Sequence, residues 1–137
     1  MFFHKEIDMS DLKNSIAVAL ALAPAVISAT KSDAPIVDLQ GAGSATLVIN
    51  TGAVAGDGVY SAKLVHGDAA DLSDVTDVTG DELLGAFPTA LAADSVVTVG
   101  YRGGKRYVRL VVTKVSGTSV AAGAVVIKGD LDLTGKV

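Results

Sequence analysis

Val96-Val-Thr-Val-Gly-Tyr-Arg-Gly-Gly-Lys-Arg-Tyr-Val-Arg-Leu-Val-Val-Thr113 is the stretch that decides the fold. Two runs of β-branched and aromatic residues flank Arg102-Gly-Gly-Lys105, which reads as a tight hairpin turn between strands Val96–Tyr101 and Arg106–Thr113. In the second run Val108, Leu110 and Val112 fall on one side, and Tyr107, Arg109, Val111 and Thr113 on the other. That period of two is the mark of a half-buried strand.

The same signals continue outward. Ala45–Ile49, Val59–Val65 and a last run from Ala122 to Lys128 read as strands, broken by Gly41-Ala-Gly43, Asn50-Thr-Gly52 and Gly56-Asp-Gly58. Toward the N-terminus, Val26–Thr30 and Ile36–Leu39 read as two short strands around Lys31–Pro35. Asp74–Thr79 reads as a further strand, followed by a short turn or helix at Asp81–Ala86. Seven to nine short strands at spacings of roughly 8–14 residues, with no βαβ unit, predict an all-β antiparallel sandwich of jelly-roll-like form. Pro24 and Pro35 confine any helix to Ser10–Ala23, with Ser10 or Asp11 as its N-cap. The expected organisation is an N-terminal arm over 1–24, extended or partly helical, and a single domain over 25–137.

Composition sets the boundaries of function. The 137 residues include 21 Ala, 20 Val and 15 Gly, so the core must be thin and filled by small side chains. Absence of cysteine removes disulfide scaffolds, thiolate metal sites and cysteine nucleophiles. A net charge of −4 argues against nucleic-acid binding, which needs a basic face. The apolar run around Ile16–Ile27 resembles a secretory signal, but Glu6, Asp8 and Asp11 offset Lys5 and Lys13 ahead of it. It is also shorter than the roughly 20 apolar residues that span a bilayer, so no membrane partner is expected.

Two charge clusters stand out. Asp68, Asp71, Asp74, Asp77, Asp81 and Glu82 recur every third residue or so, without the alternating ligands and central glycine of a calcium loop, and read as a solvated loop. Arg102, Lys105, Arg106, Arg109 and Lys114 crowd the other side of the chain, and Tyr101 and Tyr107 lie among them. Arg and Tyr are residues that protein interfaces enrich, so Tyr101, Arg102, Lys105, Arg106 and Arg109 are candidate contact residues. The two clusters are expected to form segregated acidic and basic tips. Phe2 and Phe3, two of six aromatic residues, sit where a free tail is ordinarily polar; they read either as a cap on an edge of this domain's own core or as candidate anchors in a neighbouring subunit. Gly41-Ala-Gly43-Ser-Ala-Thr46 lacks the third glycine and the helix of a dinucleotide loop. His66 lies near a strand end and reads as a surface residue; with no nucleophile elbow, no catalytic residue, metal ligand or cofactor is expected.

Three stretches carry a resemblance. Val37-Asp-Leu-Gln-Gly41 leading into Ser44-Ala-Thr-Leu-Val48, Asp81-Glu-Leu-Leu-Gly-Ala-Phe-Pro88, and Val99–Leu110 resemble the capsid cement, or decoration, proteins of tailed bacteriophages. The resemblance spans roughly Ala25 to Lys128, and its motifs are turn-plus-strand signatures. It implies a jelly-roll-like virion protein on the outer capsid surface, made in the host cytoplasm. It further implies contact with the major capsid protein and association with itself, as a homodimer ahead of a trimer. Another virion component of tail or baseplate remains open. So does a carbohydrate-binding jelly roll of discoidin type, to which Lys105-Arg-Tyr-Val-Arg-Leu110 is also similar, although Val75-Thr-Asp-Val78 lacks the aromatic residue usual before it.

Overall fold

The computed structural model describes residues 11–131. Nine strands run in chain order: β1 (Ala17–Ile27), β2 (Val37–Asp38), β3 (Ser44–Ala55), β4 (Val59–Gly67), β5 (Thr76–Asp77), β6 (Leu83–Leu84), β7 (Val96–Tyr101), β8 (Tyr107–Ser116) and β9 (Ser119–Gly129). They form two antiparallel sheets, ordered β1-β9-β3-β7-β6 and β2-β8-β4-β5. The chain keeps switching between the sheets, so sequence neighbours rarely pair. This is the double-sheet jelly roll. The sandwich and jelly-roll expectation therefore holds, and the alternation of β8 holds residue by residue: Val108, Leu110 and Val112 are buried.

The core lies between the sheets, with Leu22, Leu47, Ile49, Tyr60, Leu64, Val99, Leu110, Val112 and Val120 among its most enclosed side chains. Ala21, Ala34, Ala45, Ala122 and Ala124 fill the remaining space, as the composition requires. Tyr60 is the bulkiest of the fully enclosed side chains, and its hydroxyl donates to the Thr118 carbonyl at 3.0 Å, tying β4 to the corner before β9.

Two local expectations differ. No hairpin joins β7 to β8: β7 pairs with β3 and β6, while β8 pairs with β2 and β4. Arg102-Gly-Gly-Lys105 is a crossover from one sheet to the other. A turn signal reports that the chain reverses; which strand is then met depends on non-local apolar faces. The helix allowed over Ser10–Ala23 is replaced by one 3-10 turn, Lys13–Ser15, in which the Asn14 N–H donates to the Asp11 carboxylate at 3.1 Å. From Ala17 onward the segment is strand, laddered on β9 from Ala17↔Lys128 to Ile27↔Val120. Its small–large alternation in Ala17–Leu22 has period two, and pairing with β9 satisfies the backbone groups on one side of the strand. β1 runs through Pro24, where the ladder is irregular, so Ala17–Pro24 belongs to the sandwich. No helix among the described residues is long and apolar enough to cross a membrane.

Candidate functional site

The segments that follow β2, β4, β7 and β9 meet at one end of the sandwich. They enclose an open groove of about 970 Å³, walled by Leu39–Thr46 on one side and by Arg102, Lys105, Arg106 and Asp68 on the other. Tyr101 is the post beneath this end. It is 8% exposed, and its hydroxyl accepts the Lys105 N–H at 3.0 Å and meets His66 Nδ1 at 2.7 Å. On the other side of the ring, His66 Nε2 stands 3.8 Å from Glu82 Oε1. The His66 and Tyr101 rings meet edge to face, 5.7 Å between centroids. Gly103 packs on that ring so closely that a Cβ there would lie 2.6 Å from Tyr101 Cε1 and Oη.

His66 is therefore buried, not a surface residue. The signal was present: counting by two from Tyr60 through Ala62 and Leu64 lands His66 on the inward face.

Nor are the acidic and basic clusters segregated. Lys105 Nζ stands 3.4 Å from Asp68 Oδ2, Arg106 N–H donates to Asp68 Oδ1, and Arg102 Nε donates to the Asp81 carbonyl. Arg106 forks onto Asp38 with two bonds of 2.9 Å and stacks over the Tyr107 ring at 5.0 Å. Arg109 lies apart, on the outer face of the four-stranded sheet, with Nε donating to the Ala34 carbonyl at 2.8 Å. The structure thus gathers Tyr101, Arg102, Lys105 and Arg106 and separates Arg109 from them. Phe2 and Phe3 lie outside the described residues.

The acids hold their own loops. Asp74 accepts from the Asp68 and Ala69 N–H groups, Asp71 from Ser73, and Glu82 from both the N–H and the hydroxyl of Thr79. Those backbone donors depress the Asp74, Asp71 and Glu82 carboxyls below their ordinary range, and the Arg106 guanidinium depresses Asp38. Burial pushes the Tyr101 phenol upward. The signs follow. Carboxylates with lowered folded pKa values add stability above about pH 4, and lose it as pH falls through those lowered values. A phenol with a raised value keeps its contribution up to about pH 10 and loses it above that. Thermal unfolding is expected to be flat near neutrality and to shift downward below about pH 4, with Asp74→Asn removing part of the acid sensitivity. An acid-independent melting temperature would contradict this account of the loops.

A second surface is chemically opposite. In the strands of the five-stranded sheet the single charged residue is Lys128, whereas the four-stranded sheet carries Asp38, Lys63, Asp77, Arg109 and Lys114. The ladder aligns the outward rows Val18–Ile127–Thr46–Gly100–Leu84 and Leu20–Val125–Val48–Thr98. Val18, Leu20, Leu84 and Val96 are 57%, 49%, 56% and 64% exposed. A sandwich sheet ordinarily shows water a polar face; this one shows mostly apolar side chains and no charge, with Thr46, Asn50 and Thr98 as neutral polar residues among them.

What fold and surface define together is a jelly-roll domain with a charged, hydrogen-bonded loop end and an uncharged apolar sheet face. No protein-family model matches the chain, and no curated protein does. Among solved structures, a chain in the structure of infectious bursal disease virus, Gx strain, is similar at 12% identity and a TM-score of 0.38, over 82% of this chain. This chain spans 31% of that one. At that identity and score the likeness carries nothing about function.

Proposed function

We propose that this protein is a structural component of a tailed-phage virion that binds the outer surface of the capsid shell and reinforces it by bridging major capsid subunits. The observation that carries the reading is the outward face of the five-stranded sheet, with Val18, Leu20, Leu84 and Val96 exposed and no charge among its outward residues. Apolar patches of this kind on a folded domain mark surfaces that become buried against another protein. The resemblance of 37–48, 81–88 and 99–110 to cement proteins supports the same reading. A shell component works by mass action: binding only the assembled state stabilises that state, and lattice repetition sums weak contacts. The loop end, held by Tyr101, His66 and the Asp38–Arg106 fork, supplies rigidity to such a part.

Purified protein mixed with undecorated, expanded heads of the cognate phage is expected to co-sediment with them, saturably. Protein left in the supernatant at micromolar concentration would overturn the proposal, and a specific, saturable glycan-array hit would favour the carbohydrate-binding reading instead. Deleting Met1–Asp8 is expected to weaken head binding while leaving the melting temperature close to wild type, because Phe2 and Phe3 act as anchors in this scheme. Unchanged affinity would remove them from the interface.

A further inference from the structure

We infer that β1 is a dimerisation strand: two copies of this chain pair β1 with β1, antiparallel, and join their five-stranded sheets into one continuous ten-stranded sheet. The argument begins with the edges. Of the four edge strands among the described residues, β2, β5 and β6 are two residues long, the ordinary way of blunting an edge. β1 is eleven residues long, and no charged residue occurs anywhere from Asn14 to Thr30. None of the described hydrogen bonds outside the sheet ladders involves Ile16–Ile27. An edge of this length without lysine or glutamate is a template for another strand.

The sequence of the strand chooses a second copy as that other strand. Closed dimers need a self-complementary surface, and Ala17-Val-Ala-Leu-Ala21 alternates small and large residues about its centre. A twofold axis at Ala19 sets Val18 against Leu20 of the second copy, and Leu20 against its Val18, as apolar cross-strand pairs on the outward face. The same axis sets Ala17 against Ala21 on the inward face, where small side chains admit close approach. Beyond Leu20 the ladder to β9 becomes irregular and Pro24 follows, so pairing is confined to the first half of β1. The inference stands independently of the capsid proposal, since the dimer forms without any shell.

Sedimentation velocity of the full chain at micromolar concentration tests it. Wild type is expected at twice 13.7 kDa, with slow exchange at those amides of Ala17–Ala21 that point away from β9. Leu20→Lys is expected to sediment as a monomer with an unchanged far-UV spectrum and fast exchange at those amides. Twofold symmetry brings both lysines to the seam and weakens association at least roughly a hundredfold. Val96→Lys, on the same outward face but on β7, is expected to remain dimeric, which separates edge pairing from face-to-face packing. A monomeric wild type, a Leu20→Lys dimer, or a dimer broken equally by Val96→Lys would each overturn the inference.

Discussion

Gly117→Ala is expected to lower folding stability by about 2–5 kcal/mol, one of the two largest effects of single substitutions considered. Gly117 sits in the corner between β8 and β9 at φ +79°, a left-handed conformation that costs an L-residue roughly 1–2 kcal/mol. Its neighbours add a second cost. A Cβ there would lie 2.3 Å from the Asp57 carbonyl oxygen and 2.5 Å from Gly58 Cα, atoms of the corner between β3 and β4. Both are backbone, and neither can swing away, so the two corners must separate at a further cost of about 1–3 kcal/mol. Two other glycines divide the terms. Gly104 shares φ +79° but has nothing within 4 Å of a Cβ, so Gly104→Ala should show the conformational cost alone. Gly80 has neither a positive φ nor a neighbour, and Gly80→Ala should fall within about 0.5 kcal/mol of wild type. Urea unfolding of the three variants checks the series. Equal effects at 104 and 117 would show that the close approach of the corners contributes nothing.

Tyr101→Ala is expected to cost about 3–5 kcal/mol, the range for removing a large buried aromatic side chain. The effect should reach beyond the cavity. The ring supports Gly103, and the hydroxyl joins Lys105 to His66, so the crossover from β7 to β8 loses its support. Tyr101→Phe isolates the polar part. It keeps the ring but strips partners from the Lys105 N–H and from buried His66 Nδ1, which should cost about 1–3 kcal/mol. Amide exchange at Lys105 should accelerate in both variants while β9 amides in mid-sheet remain protected. If Tyr101→Phe unfolds at the same urea concentration as wild type, the hydroxyl is not holding the loop end.

Much of the fold was legible because period-two alternation is a local property. Val108, Leu110 and Val112 could be assigned to the core from their spacing alone, and His66 was open to the same count from Tyr60. The partners of each strand were not legible. Arg102-Gly-Gly-Lys105 has the chemistry of a hairpin turn, and its glycines are needed, Gly103 for contact with Tyr101 and Gly104 for its positive φ. Yet the strands it joins lie in different sheets. The candidate site was legible in its residue types and not in its arrangement. Arg102, Lys105 and Arg106 do line one groove, but sequence distance concealed that Asp68 and Asp38 neutralise two of them there.

Ala17–Ile27 divides the two kinds of knowledge most clearly. Its apolar, uncharged composition and the prolines around it are sequence facts, and they permit a helix, an arm or a strand. Which of these forms depends on β9, far later in the chain, whose ladder satisfies one side of the segment's backbone while no other described strand meets the opposite side. By itself, then, the amino-acid sequence determined an all-β domain with a small-residue core and no thiol chemistry, because alternation and composition act locally. Tertiary structure alone decided that opposite charges meet at one end, that one sheet carries nearly no charge, and that β1 is its long edge, with no strand beyond it among the described residues. Those properties belong to pairs of distant residues, and no single stretch of the chain contains them.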